Sequence, residues 1–141
     1  MTQSKQPKLT LNSPSQKIGK QYEALACKYL QKKGLVLIAQ NWLQPKVGEL
    51  DLIMIEKGKA WDTLVFVEVR GRGSNRFGQY GTAVNSITAA KQRKVVEAAL
   101  HFLQAHPKYA DYDCRFDVVV FDGINSGQPQ WIQGAFVGSG W

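Results

Sequence analysis

The sequence predicts an α/β domain in which a mixed sheet carries helices on its faces. Three observations predict it. The chain has 141 residues, enough for one domain with one proper core. Its hydrophobic period alternates between helical and extended, in the order one helix, three strands, one helix, then one or two strands. The connections between the first three strands are short, which makes those strands an antiparallel meander.

The polar stretch from Met1 to Ser15 holds no hydrophobic run of signal-peptide length and reads as a disordered tail. A single domain is expected over residues 16–141. Ser15 is placed as the N-cap of a first helix. Ile18, Tyr22, Leu25, Ala26, Tyr29 and Leu30 then recur at helical spacing, and Gly34 ends the helix in the usual C-cap position. Glu23 lies at the edge of this apolar stripe. Leu35 to Trp42 is apolar and β-prone, a first strand. Pro45 and Gly48 bracket a turn before a second strand from Glu49 to Glu56, and the turn at residues 56–59 leads to a third, Thr63 to Arg70. Gly71 to Gly81 is dense in Gly and Arg. Thr88 is the expected N-cap of a second helix with Val95, Val96, Ala99, Phe102 and Leu103 on its apolar face, and Pro107 stops it. Arg115 to Asp122 is apolar enough for a central strand, and Trp131 to Val137 reads as an edge strand. Trp42 and Trp131 adjoin strands and belong to the core, while Trp61 reads as a turn residue.

Composition narrows the function classes. Eighteen Lys and Arg against 11 Asp and Glu give a net charge of +7, an excess that favours polyanionic partners. Cys27 and Cys114 stand far apart without a CxxC pattern, which argues against a zinc site and against a disulfide framework. No apolar run approaches the roughly 20 residues that a membrane helix requires. A cytoplasmic protein with free thiols is expected.

Three carboxylates and an arginine interrupt otherwise apolar strands. Alternation places Glu49 and Asp51 on one face of the second strand, with Ile53 and Ile55 continuing it. On the third strand, Glu68 and Arg70 share a face with Phe66 and Leu64, while Val65, Val67 and Val69 fill the other. Such charges are expensive to bury unless they pair or bind a cation. Magnesium suits the functional reading, because it takes oxygen ligands, keeps several waters and is commonly held by one or two carboxylates plus substrate phosphate. Asp51 and Glu68 are the candidate anchors, with the backbone carbonyl of Val69 as a third ligand. The bland alternative is that Glu49, Asp51 and Glu68 sit at exposed strand ends and pair with nearby basic groups. Asp117, beside Arg115, is read as one half of an Arg–Asp pair at the sheet end.

Gly48-Glu49-Leu50-Asp51, followed by Phe66-Val67-Glu68-Val69-Arg70 and Arg72, resembles the PD-(D/E)XK nuclease signature. Further features resemble one branch, the bacterial YraN family: Gly19-Lys20-x-x-Glu23-x-x-Ala26-x-x-Tyr29-Leu30, Gly34, Asn41-Trp42, Phe77-Gly78, Lys91-Gln92-Arg93 and Arg115-Phe116-Asp117-Val118. They span residues 19–136. The resemblance implies a restriction-endonuclease-like fold, similar to archaeal Holliday-junction resolvases. It implies a Mg2+- or Mn2+-dependent endonuclease acting on DNA, branched or otherwise structured, with a homodimer placing two sites against two strands. Asp51 and Glu68 then match the metal-binding acids, and Glu23 matches an acid on the first helix that approaches the metal through water. Glu49 is auxiliary.

Arg70 departs from the pattern, which has lysine there. Arginine stays charged at any relevant pH, so it can neutralise a phosphate but not act as a general base. That departure motivates the alternative of a non-catalytic nucleic-acid-binding module on the same fold. Gln92 and Lys91 lie at the N-terminal end of the second helix's apolar face, where a superfamily member places a side chain beside the active site. Gln92 is therefore included among the catalytic candidates. Arg72, Arg76, Phe77 and Tyr80 offer phosphate contacts and stacking to nucleic acid, and Lys91 and Arg93 extend that basic surface.

Overall fold

The first helix starts two residues earlier than the sequence pattern suggests. In the computed structural model, which describes residues 13–71, 87–122 and 127–138, α1 runs Pro14–Lys32 with Ser13 as its N-cap. The Gln16 N–H donates to Ser13 Oγ at 3.2 Å, and the Ser13 N–H donates to Gln16 Oε1 at 2.8 Å, a complete capping box. Pro14 fits as the first helical residue, where its missing N–H has no intrahelical partner to lose. At the other end Gly34, at φ 99°, supplies the left-handed residue, and the Leu35 N–H returns to the Leu30 carbonyl at 3.0 Å. Residues 1–12 of the expected tail lie outside the described residues.

Three antiparallel strands follow: β1 (Val36–Gln44), β2 (Gly48–Glu56) and β3 (Thr63–Gly71). Helix α2 (Ala89–Ala105) is capped by Thr88, whose Oγ1 accepts from the Lys91 N–H at 3.1 Å. Pro107 opens a single 3-10 turn, Pro107–Tyr109, instead of continuing α2. Strand β4 (Asp113–Phe121) then lies parallel to β3, and β5 (Gln130–Phe136) returns antiparallel on its far side. The sheet order is β1-β2-β3-β4-β5, a mixed α/β sheet consistent with the restriction-endonuclease-like fold. Among the described residues no helix is long and apolar enough to cross a membrane.

The helices cover opposite faces. Tyr22, Ala26 and Leu30 of α1 bury against Leu52, Met54, Val65, Val67, Val119 and Phe121. Val95, Ala98, Ala99 and Phe102 of α2 bury against Ile53, Ile55, Leu64, Phe66 and Phe116, with Trp42 packed at the edge of that cluster. Trp131 packs edge-on against Tyr29, and Trp61 is exposed in its turn, as expected. Asp117 is not at the sheet end but in the middle of β4 and fully buried. It accepts from Arg115 Nε and Nη2, from Trp131 Nε1 at 2.9 Å and from the Gly134 N–H at 3.0 Å, while Arg115 Nη1 reaches Glu56 at 2.6 Å. Both carboxylate oxygens are thus satisfied within the fold, so the Arg–Asp pairing is structural.

The alternation expected for β2 fails at its N-terminal half. Leu50 packs on the α2 side and Leu52 on the α1 side, although regular alternation would put them together. Glu49 accordingly borders a depression with α1 residues and does not continue the Ile53–Ile55 row. The ladder explains this. The β2–β3 register runs from Glu56↔Thr63 only to Leu52↔Val67. Beyond that point β2 stays with β1 down to Gln44↔Gly48, and β3 stays with β4 up to Gly71↔Phe121. The two central strands part like a fork, with Asp51 and Glu68 the first residues past the split.

Candidate metal centre at the strand fork

Where two strands separate, their facing backbone donors lose ladder partners and need others. Here the side chains supply them. The Val69 N–H donates to Asp51 Oδ2 at 2.9 Å, so Asp51 reaches across the fork to the opposite strand. The Asp51 backbone N–H in turn favours charge on Glu68. The two carboxylates are thereby held together at the crotch, rather than standing at exposed strand ends.

Glu68 is only 2% exposed, among the most buried charged residues described. Its Oε1 lies 3.8 Å from Lys91 Nζ, an ion pair too long for a hydrogen bond. Its Oε2 is buried with no hydrogen-bond partner, and it is the one such side-chain atom among the described residues. Burial, and then the charge of Asp51, push the Glu68 carboxyl up to about 8. Burial also raises Asp51, with the Val69 N–H, Lys91 and Arg70 pulling the other way. A buried carboxylate with an open oxygen is costly unless something cationic completes it. The donor set, two carboxylates with room for water, is what a hard divalent cation takes. The residues therefore fit the group: Asp51 and Glu68 would hold it, and Val69 adjoins them through its N–H.

Glu23 approaches from α1. Its carboxyl is pushed up to about 6 by burial and by the charge of Asp51, while the Asn41 amide favours its charged form. Glu23, Asn41, Glu49, Lys20, Gly19 and Gln16 line a depression of ≈ 350 Å³ beside the fork. Among the described residues no three His, Cys, Asp or Glu side chains converge closely enough to ligate one ion directly.

Arg70 follows Glu68 on the same strand face, and its charge favours ionisation of both carboxylates. Of the two α2 candidates, Lys91 is the one that reaches the acids. Gln92 is placed apart from the acids: its Nε2 donates to the Ile87 carbonyl at 3.2 Å, and it borders a separate depression with Arg93, Val96, Leu100 and Val137. Residues Lys91 and Gln92 differ by about 100° around the helix, and hydrophobic period alone does not choose between them. Arg93 is exposed. The nucleic-acid candidates Arg72, Arg76, Phe77 and Tyr80 lie outside the described residues. Asn41, quoted from the sequence only in the Asn41-Trp42 pair and not as a site candidate, lines the depression beside the fork as a polar residue within an apolar strand.

The fold and this site define a class: an α/β domain of restriction-endonuclease-like architecture with paired acids at a fork between its central strands. The model of a family described as "Uncharacterised protein family UPF0102" matches residues 22–121, from Tyr22 on α1 to the end of β4. The chain is 50% identical over 153 residues to a UPF0102 protein of Psychrobacter cryohalolentis, covering 94% of this chain and 87% of that one. It is 43% identical over 128 residues to a UPF0102 protein of Pseudomonas fluorescens, covering 89% and 98%. The chain belongs to the UPF0102 family, which is the YraN family that its motifs resemble.

Proposed function

We propose that this chain is a divalent-metal-dependent endonuclease that hydrolyses phosphodiester bonds in DNA, with branched or structured DNA as its substrate. The observation that carries the reading is Glu68 Oε2: a buried, unpartnered carboxylate oxygen beside Asp51, where the sheet opens. Magnesium or manganese, when bound, would supply charge to stabilise the phosphate in transit and acidify a water. The chain's own residues do the rest. Asp51 and Glu68 hold the cation, and the Val69 N–H fixes the Asp51 carboxylate. Glu23 orders water on the α1 side. Arg70 and Lys91 bring two positive charges to the rim, where they neutralise and orient a phosphodiester. Arg70 cannot serve as a general base, so its part is electrostatic. The +7 net charge supports a polyanionic substrate.

The test is cleavage of labelled linear, flapped and four-way-junction DNA in magnesium, manganese or EDTA, comparing wild type with Glu68→Ala. Metal-dependent cuts by the wild type that vanish in the variant are expected, with a preference for the junction or flap. Absence of cleavage, together with tight salt-sensitive binding by both proteins, replaces this reading with a non-catalytic DNA-binding module.

A further inference from the structure

Two non-glycine residues among those described have a positive φ. Lys46, at 66°, sits in the turn between β1 and β2, where that conformation is ordinary. Asn41, at 51°, is in the middle of β1. Its neighbours Gln40 and Trp42 pair with Leu52 and Leu50, so the ladder continues on both sides and no turn demands the conformation. Left-handed backbone is disfavoured at a residue with a Cβ, and asparagine is among the residues that tolerate it best. Such strain persists where the surroundings hold it for a purpose.

We propose that Asn41 is a positioning residue of the metal centre: its side-chain amide, turned toward α1 by the left-handed backbone, holds the Glu23 carboxylate beside Asp51. This rests on the metal-centre reading above. By register Asn41 lies opposite Asp51, since the pairs on either side are Gln40↔Leu52 and Trp42↔Leu50. Asn41 and Glu23 line the same ≈ 350 Å³ depression, and the Asn41 amide favours the charged form of the Glu23 carboxyl. Asp51 and Glu49 both repel the Glu23 carboxylate, and only Lys20 and the Asn41 amide offset that repulsion among the groups acting on it. An amide donor from β1 opposes that repulsion. Glu23 then stays where it can accept a hydrogen bond from a water on a cation held by Asp51 and Glu68. The strain in β1 and the orientation of α1's acid become one device, in which a strand residue that touches no ligand orders a helix residue that touches its water.

The experiment is Mn2+ binding to the purified protein, read by the electron-paramagnetic signal of free Mn2+ and by water-proton relaxation of the bound ion. The proteins are wild type, Asp51→Ala, Asn41→Gly, Glu23→Ala and the double variant Asn41→Gly/Glu23→Ala. Glycine adopts the required φ freely, so Asn41→Gly should melt no lower than wild type. It should nevertheless bind Mn2+ about tenfold more weakly, as losses around metal ligands generally do. Glu23→Ala should match it, both should shift the relaxation per bound ion, and the double variant should be no weaker than either single one. Asn41→Asp, which keeps the backbone preference but sets a charge against Glu23, serves as a second variant and should bind at least as weakly as Asn41→Gly. Wild-type affinity in Asn41→Gly, or losses that multiply in the double variant, would overturn the proposal. If the wild type binds no Mn2+, or Asp51→Ala binds as tightly as wild type, the metal centre itself fails, and this device falls with it.

Discussion

Replacing Glu68 by glutamine should stabilise the metal-free protein at neutral and alkaline pH. The side chain keeps its shape, but the buried charge is gone. Glu68 is 2% exposed, has one unpartnered oxygen, and has its carboxyl raised from 4.5 to about 8. A carboxyl raised on folding binds its proton more tightly in the folded state than in the unfolded one. Its stabilising contribution is therefore full below about pH 4.5 and is lost as pH rises through about 8, opposite to the sense for a salt-bridged acid. A tenfold difference in proton affinity between the two states is worth about 1.4 kcal/mol, so removing the Glu68 charge would spare the fold up to about 4 kcal/mol near pH 7.5. Water entry and strand relaxation screen part of that, leaving about 2 kcal/mol or more. For a chain of this length each kcal/mol moves the melting temperature by roughly 3 °C.

The assay is thermal or urea unfolding of wild type and Glu68→Gln in EDTA, from about pH 5 to about pH 8.5. The difference between the two curves reports Glu68 together with the part of the Asp51 titration that depends on its charge. The two proteins should be nearly equal at the acid end, with the variant pulling ahead by roughly 6 °C or more at the alkaline end. Added Mn2+ should reverse the order: at a hundredfold excess over its dissociation constant it stabilises wild type by about 2.7 kcal/mol and should leave the variant unmoved. A variant less stable than wild type in EDTA at pH 8 would refute the reasoning, since it would mean that the Glu68 charge is already satisfied within the protein.

Three other outcomes follow from the same geometry. Arg70→Lys should preserve cleavage, while Arg70→Ala should lower kcat about 100-fold through lost phosphate stabilisation, measured on the substrate the wild type prefers. Gly71→Ala should destabilise by about 1–3 kcal/mol in urea melts, because an added Cβ would run into the Tyr22 ring that lies on Gly71. Asp117→Asn should cost about 1–3 kcal/mol, because an amide set among four donors cannot satisfy them all while Arg115 keeps only Glu56, yet leave Mn2+ affinity unchanged, which separates this structural acid from the two at the fork.

The elements are legible in the sequence because their signals are local. The Val- and Phe-rich run of β3, the Thr88 cap, the Pro107 stop and the Gly34 end are each a few residues acting on their own backbone, and the structure keeps all four. The start of α1 carries a local signal as well, but an ambiguous one. Pro14 can mark either the boundary before a helix or its first residue, and the Ser13–Gln16 spacing decides for the capping box that forms. Asp51 and Glu68 stand out as charges in apolar strands. Their environment does not, since it depends on where a ladder between distant segments ends. The same non-local event sends Leu50 and Leu52 to opposite faces, which strict alternation forbids. Likewise no local signal distinguishes Lys91 from Gln92, because the choice depends on how α2 is rotated over the sheet.

The fork also explains why two acids can be buried together at all. On an intact ladder Asp51 and Glu68 would be directly opposed like charges, a destabilising arrangement even when exposed. Parting the strands turns that liability into a site. The freed Val69 N–H binds one carboxylate, the Lys91 ammonium stands 3.8 Å from the other, and one oxygen of Glu68 stays without a hydrogen-bond partner. Lys91 comes from a different element than the motif arginine, so the two positive charges reach the acids from α2 and from β3. An arginine at position 70 therefore does not leave the site without a lysine; it divides the positive charge between a planar group fixed on the strand and a flexible ammonium on the helix. If that division is functional, Lys91→Ala should reduce cleavage more in the Arg70→Ala background than the two single losses combined, because each cation partly covers for the other. Losses that simply multiply would instead mean that the two charges act on different steps.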